Sequence, residues 1–266
     1  MKDTEIQPVK SNQDASTVRL FGVDVLNITR GDAIGRICEM IDSESDRSHS
    51  VFFVNTHTLN TAATDSAYKE TLNSADLVFG DGTGVRWAVR FQGRRMVDNV
   101  NGTDLIPELY AASADREYRY FLLGCDELGI EKAAARAREL FPRWRQVGYH
   151  HGYLTTDEIR ERAIAQVQDA RPDLLLVGMG NPLQERFIET SCERLGATVS
   201  IGVGGLFTYW TDELKRSPLW LRKLGAEWLG ILAQQPKKAA RYLVGNPKFV
   251  FRAMIDAFRA RRDRAY

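Results

Sequence analysis

With 266 residues, of which 44% are hydrophobic and 27% charged, the chain has enough apolar surface to close a substantial core and too much to be a disordered polymer. Its net charge of +1 conceals an asymmetry: Lys215 to Tyr266 holds 13 Lys/Arg against 3 Asp/Glu, so this last fifth carries +10 and the remainder −9. A basic segment attached to an acidic body points to an anionic partner surface, either membrane or nucleic acid.

In chain order, residues 1 to 17 read as a disordered lead-in without an apolar core. VRLFGVDVLN (18–27) predicts a strand pair, and Thr29 to Asp42 a helix with Ile34, Ile37, Cys38 and Ile41 on one face. SVFFVN (50–55) is a buried strand, followed by a polar turn and a helix through Tyr68 to Leu72. ADLVFGDG is the next strand, then a helix with Val85, Ala88, Val89 and Phe91 inward, and another from Asp104 to Ala114. YRYFLLG (118–124) and WRQVGYHHGY (144–153) are strands around the helix GIEKAAARARELF. A helix over 156–170, the strand PDLLLVGMG, a helix over 183–195 and the strand ATVSIGVGG follow, and the basic segment completes the chain. Strands alternating with helices predict an α/β fold: a mainly parallel sheet with helices on both faces. The expected organisation is a lead-in (1–17), an α/β core (18–212) and a basic amphipathic helical appendage (213–266).

Three apolar runs end in glycine-rich turns: LVFGDGTG (77–84), LLLVGMGNPLQE (174–185) and SIGVGGLF (200–207). A glycine turn that opens a helix leaves backbone N–H groups free to hold an anion, so this is the pattern of a nucleotide or phosphate site. Ligands of such sheets sit beyond the carboxyl ends of the strands, where Asn55, Asp81, Gly124, Gly180 and Gly204 fall. Of the three turns, one delivers a lone carboxylate, Asp81 between Gly80 and Gly82, which is a general-base candidate. The alternative reading of Asp81 is a cap for the following helix. Gln184 and Glu185 either enter the pocket or merely open a helix with favourable first-turn charge.

Cys38, Cys125 and Cys192 are widely spaced and have no CxxC pairing, so they read as reduced thiols of a cytoplasmic protein. His57, His150 and His151 lack a clustered carboxylate and read as structural or surface groups, leaving no metal site. Gly202-x-Gly204-x-x-Phe207 lacks the third glycine of a dinucleotide fingerprint, which argues against a nicotinamide cofactor. No stretch is long and apolar enough to span a bilayer.

The ordered segments NTHTLN, ADLVFGDGTGV, VNGTDL, YFLLG, FP with GYHHGY, PDLLLVGMGNPLQE, IGVGGLF, RSP and AEWLGILAQQPKKAARYL carry a resemblance from about Val18 to Phe251. The chain resembles the WecG/TagA/CpsF family of bacterial glycosyltransferases. The resemblance implies a Rossmann-like core without a metal or cofactor. It also implies inverting transfer of an N-acetylmannosamine-type sugar or related hexose from a UDP-sugar to an undecaprenyl-pyrophosphate-linked acceptor. By the same resemblance Asp81 corresponds to the family's base, and Asn55, Gln184, Glu185 and Arg216 to its binding residues. The substrate-binding set expected on motif and turn grounds adds Gly82, Asn101, Gly102, Asp104, Gly124, Gly180, Pro182, Gly204, Gly205 and Phe207. Arg222 and Arg241 complete it as cations for the departing diphosphate.

Departures from the family pattern are Thr208 for an aspartate, Asp212 for a glycine, Asn99 for an arginine and Ile231 for an arginine. They flank the pocket and bear on sugar and acceptor identity; NTHTLN and NVNGTDL are similar to the exopolysaccharide branch rather than the teichoic-acid branch. Two further classes stay open: a non-catalytic UDP-sugar-binding subunit of a polysaccharide assembly complex, and a UDP-sugar hydrolase or epimerase. In the appendage, Leu219, Trp220, Leu224, Trp228, Leu229, Ile231 and Leu232, then Phe249, Val250, Met254, Ala257 and Phe258, form apolar stripes among basic residues. Such a segment lies on an anionic bilayer, at the inner face of the cell membrane, or docks on the core or a second copy of the chain. No nucleic-acid-binding motif accompanies the charge.

Overall fold

The computed structural model describes residues 17–43, 47–211, 213–218, 221, 227–236 and 239–262. An eight-stranded sheet runs through the centre, in the order β1-β2-β4-β3-β8-β7-β5-β6. Its strands are β1 (Thr17–Leu20), β2 (Val23–Leu26), β3 (His49–Val54), β4 (Leu77–Gly80), β5 (Arg119–Gly124), β6 (Arg145–His150), β7 (Leu174–Gly178) and β8 (Val199–Gly202). All neighbouring pairs are parallel except the β1–β2 hairpin. The fold is the expected α/β class, and the residues read as a lead-in lie outside the described part except Thr17, which opens β1.

Side chains alternate across the sheet with the period of two that a strand dictates. Val51, Phe53, Tyr120, Leu122, Leu174, Leu176, Val199 and Ile201 point to one core. Phe52, Val54, Phe121, Leu123, Leu175 and Val177 point to the other. The first face is covered by α1 (Arg30–Asp42), α5 (Gly102–Ser113), α6 (Glu127–Leu140) and α9 (Leu206–Trp210). The second is covered by α2 (Thr56–Ala62), α3 (Ser66–Asn73), α4 (Thr83–Phe91), α7 (Asp157–Ala170) and α8 (Leu183–Leu195). Helices switch faces where the chain reverses its direction along the sheet, as right-handed crossovers require. The connection from β4 to β5 passes β3, β8 and β7, and so carries α5 across the middle of the molecule.

Two helices differ from the sequence reading. NTHTLN is not a polar turn: Asn55 caps α2, its Oδ1 accepting from the N–H of His57 (2.9 Å) and Thr58 (3.3 Å). Cap residues are polar by necessity, so a short capped helix reads as a turn. LFTYW after the third glycine turn likewise forms α9, whose five residues are too few to show a periodicity.

The basic C-terminal segment contributes α10 (Glu227–Gln234), α11 (Ala239–Leu243) and α12 (Gly245–Arg262). Helix α12 is built into the second face, with Phe249, Ala253 and Ala257 buried against the core. Phe249 meets Phe21 edge-on at 5.3 Å, Arg252 Nη1 donates to the Asn60 carbonyl (2.9 Å) and Arg261 Nη2 to the Phe91 carbonyl (2.7 Å). The stripe expected from the sequence therefore divides: Phe249 and Ala257 face the core, whereas Met254 and Phe258 face solvent with Phe251 and Ile255. A rotation of about 100° per residue separates the two rows, which the sequence pattern had merged.

Candidate functional site

The carboxyl ends of β4, β3, β8, β7 and β5 lie side by side, which sets Asp81, Asn55, Gly204, Gly180 and Gly124 in a row about 19 Å long at strand spacing. Three helices that start along this row, α4, α8 and α9, have Gly82, Pro182 and Gly205 at their N-caps and no side-chain cap hydrogen bond. No side chain caps these starts, although Gln184 N–H donates to the Gly180 carbonyl (3.0 Å) and Leu206 N–H to the Val203 carbonyl (3.3 Å). A Cβ built on Gly82, Gly180 or Gly204 meets nothing within 4 Å, so these turns border open space.

Asp81 is fixed by its backbone. Its N–H donates to the Val54 carbonyl at the end of β3 (2.8 Å), the preceding Gly80 carbonyl accepts from Val100 (3.2 Å), and Gly82 N–H donates to Asn99 Oδ1 (2.6 Å). Gly82 has φ 89°, a left-handed conformation that glycine adopts without strain. It is Gly82, and not Asp81, that occupies the cap position, so the carboxylate stands one residue ahead of the cap. Asn99 thereby ties the 95–101 loop to this turn.

Gln184 and Glu185 face inward, 1% and 0% exposed. Gln184 Oε1 accepts from Gly204 N–H (2.9 Å), and its Nε2 donates to Glu185 Oε1 (2.7 Å). Glu185 also accepts from Asn181 Nδ2 and from the Tyr68 hydroxyl (3.1 Å). Burial raises the Glu185 carboxyl above the ordinary range against these donors, and burial with the neighbouring Glu185 raises the Tyr68 hydroxyl. The pair therefore braces the turn that carries Gly180 and the turn that carries Gly204. Close backbone contact continues sideways, because a Cβ on Gly124 would stand 2.5 Å from the Gly178 carbonyl oxygen and one on Gly178 2.7 Å from the Phe207 ring. Gly124 and Phe207, expected at the ligand, thus pack the strand ends against each other.

On the other side of the row, Asn101 caps α5 by accepting from Asp104 N–H (2.9 Å), and its amide donates to Asp104 Oδ2 (2.9 Å). Asp104 Oδ1 accepts from Arg216 Nη1 (2.5 Å), while Arg30 Nη1 lies 3.7 Å from Oδ2 and 2.9 Å from Glu108. The structure thus brings Arg216 to the N-terminus of α5, beside Gly102, through an ion pair with a residue 112 positions away. Gly102 is buried against the Phe53 ring. Arg222 and Asp212 lie outside the described residues, and the backbone of Arg241 belongs to α11.

His150 and His151 stack at 4.3 Å, and burial lowers His150 below its ordinary value. Among the described residues no group of three or more His, Cys, Asp or Glu side chains is disposed to hold a metal ion, and no helix is long and apolar enough to cross a membrane.

Among the described residues, cavities flank the sheet. One of about 870 Å³ lies at the amino ends of the strands among Arg47, Gln168, Arg171 and Thr198, away from the glycine turns. Another, about 980 Å³, runs along α4 from Thr83 and is lined by Arg86, Trp87, Arg90, Arg94, Arg95 and Asn99 among others. Sequence reading missed this lining, although Thr83, Arg86, Trp87 and Arg90 recur at the helical interval opposite Val85, Ala88 and Val89.

Fold and site together define a doubly wound α/β protein that presents a carboxylate among glycine-rich turns at the strand ends. The model of the glycosyl transferase WecG/TagA/CpsF family matches residues 18–263. The chain is 28% identical over 244 residues to an N-acetylglucosaminyldiphosphoundecaprenol N-acetyl-beta-D-mannosaminyltransferase of Staphylococcus aureus strain MW2, covering 92% of this chain and 94% of the relative. It is 29% identical over 221 residues to the protein of that name from strain NCTC 8325 / PS 47, covering 83% and 86%. The chain belongs to the WecG/TagA/CpsF family and is a glycosyltransferase.

Proposed function

We propose that this glycosyltransferase moves an N-acetylhexosamine or related hexose from a UDP-sugar to a sugar carried on undecaprenyl diphosphate, with inversion, in the assembly of a cell-surface polysaccharide. The observation that carries the reading is Asp81. Its backbone is held between β3 and the Asn99 loop, one residue ahead of the glycine that caps α4.

In the transfer an acceptor hydroxyl attacks the anomeric carbon from the face opposite the diphosphate. The new C–O bond forms as the bond to UDP breaks, the hydroxyl proton passes to the Asp81 carboxylate, and the electron pair leaves with UDP. Charge gathering on the departing diphosphate is met by the start of α8, which no side chain caps, with Arg216 as a cation. Gln184 and Glu185 serve by keeping those turns in register. The names of the relatives support a lipid-linked acceptor, and the choice of sugar and branch is assigned to Asn99, which lines the cavity along α4, and to Thr208 in α9.

An exposed apolar row on α12, Phe251, Met254, Ile255 and Phe258, continues from Leu243 and Val244 and is bordered by Lys248, Arg259 and Arg262. This supports peripheral attachment to an anionic membrane surface, and offers the same face to a second copy of the chain.

The test is UDP release from a panel of UDP-sugars with a short-chain polyprenyl-diphosphate-linked N-acetylglucosamine, in wild type and Asp81→Asn. Acceptor-dependent turnover that collapses by about 10² or more in the variant while UDP still binds is expected. Equal turnover in the two proteins refutes Asp81 as base, and UDP binding without turnover for any pair favours the non-catalytic subunit.

A further inference from the structure

Helix α4 turns two different faces outward from its buried edge. Val85, Ala88 and Val89 pack inside, whereas Thr83, Arg86, Trp87 and Arg90, at i, i+3, i+4 and i+7, line the cavity of about 980 Å³ closed by the loop from Gly93 to Asn99. Arg94 and Arg95 add two further guanidinium groups to the lining. The carboxylate among the lining residues, Asp98, is engaged elsewhere, accepting from Arg30 N–H (3.2 Å) and Asn99 N–H (2.7 Å). Among the described residues the guanidinium groups of Arg86, Arg90 and Arg95 enter no ion pair, and all three are exposed. Like charges assembled without counter-charge raise a positive local potential, so the groove attracts anions.

The groove is not purely polar. Trp87 is 51% and Val97 59% exposed at its rim. Helix α12 packs directly on α4 and exposes Phe251 and Phe258 on its outer side. A ligand that fits has a compact, multiply charged head and an apolar tail. Arg86 and Arg90, one helical turn apart, stand about 6 Å from each other at Cβ, a spacing that lets each guanidinium take one phosphate of a diphosphate. The groove opens at Thr83, two residues from Asp81, so a diphosphate held there leaves the attached sugar pointing toward that carboxylate.

We propose that the arginine-lined groove along α4 is the binding site for the diphosphate of the polyprenyl-linked acceptor, with Trp87 and the outer face of α12 taking the first isoprene units. The assignment rests on the transferase reading given above and specifies where its acceptor enters; the donor occupies the glycine turns at β7 and β8.

The experiment measures binding of farnesyl diphosphate, inorganic pyrophosphate, farnesol and UDP to wild type, Arg86→Gln/Arg90→Gln and Arg95→Gln by titration calorimetry, with thermal unfolding as a check that these exposed substitutions leave the fold intact. Farnesyl diphosphate affinity is expected to fall about tenfold for each guanidinium removed, with UDP affinity unchanged. Arg86→Lys/Arg90→Lys is expected to restore part of the loss. Unaltered farnesyl diphosphate affinity in the glutamine variants overturns the assignment. Pyrophosphate binding as tightly as farnesyl diphosphate overturns the lipid part of it, and equal loss of UDP binding reassigns the groove to the donor. Wild type that binds UDP but not farnesyl diphosphate removes the groove proposal and leaves the transferase reading standing. Arginine-dependent farnesyl diphosphate binding in a protein that binds no UDP does the reverse.

Discussion

Glu185 offers the sharpest separation between a residue that touches substrate and one that holds the site together. It is 0% exposed and accepts from Tyr68, Gln184 and Asn181, and Gln184 in turn holds Gly204 N–H. Glu185→Ala strands two buried donors, on Tyr68 and Gln184, and a part-buried one on Asn181; at about 1–3 kcal/mol for each buried donor and with partial re-pairing, the loss is roughly 2–5 kcal/mol. That is a large share of the roughly 5–15 kcal/mol available to a domain. Glu185→Gln keeps an oxygen for Asn181 and Gln184 and turns an amide toward Tyr68, so its cost is about 1 kcal/mol or less at low pH.

The two variants differ in their pH dependence. Burial raises the folded carboxyl above 4.5, so the native state binds this proton more tightly than the unfolded chain. The contribution is fully present below the unfolded value and is lost as pH rises through the folded one, at about 1.4 kcal/mol for each tenfold difference in proton affinity. Glutamine has no proton to lose, so the stability of Glu185→Gln relative to wild type should improve as pH rises from 4.5 toward 8. Urea unfolding followed by tryptophan fluorescence at a series of pH values measures this, with UDP affinity as the functional readout. Parallel pH profiles for wild type and Glu185→Gln, or a cost below about 1 kcal/mol for Glu185→Ala, refute the bracing role.

Gly124→Ala sets a Cβ 2.5 Å from the Gly178 carbonyl oxygen, and chemical denaturation should register a loss of about 1–3 kcal/mol from the forced separation of β5 and β7. Arg216→Ala removes the cation paired with Asp104 at the start of α5; both side chains are partly screened, so stability should fall by about 1 kcal/mol or less while UDP affinity falls more. Burial pushes the Cys125 and Cys192 thiols up to about 11, so both should react with Ellman's reagent more slowly than free cysteine at pH 8 and gain rate as pH approaches that value. Phe258→Glu, at a position 72% exposed on α12, should leave thermal stability unchanged and lower co-sedimentation with phosphatidylglycerol vesicles; unchanged sedimentation would detach this face from the membrane.

Part of this protein was legible in its sequence because the information was local. SVFFV, LLLVG and YFLLG are strands by their uninterrupted apolar runs, and the turn at Gly82 follows from a φ of 89° that few other residues adopt. The row of strand ends from Asp81 to Gly124 followed from the same signals, since parallel strands must all end on one side. The family likeness read from the ordered motifs is matched by the family model over nearly the same residues.

What remained hidden depends on elements that meet only in space. Nothing near Glu185 in sequence announces Tyr68, 117 positions away, so a first-turn glutamate could not be told from a buried brace. Arg216 reads as a free cation until Asp104 is set beside it, and Arg86, Arg90 and Arg95 read as an ordinary solvated face until the 93–99 loop folds over α4. The C-terminal helix could be recognised as amphipathic, yet which row is buried was decided by its docking on α2 and α4. Backbone propensity and apolar periodicity act over a few residues and so are written in the sequence. Pairing of charges, burial of polar groups and closure of a groove depend on long-range packing, and only the tertiary structure decides them.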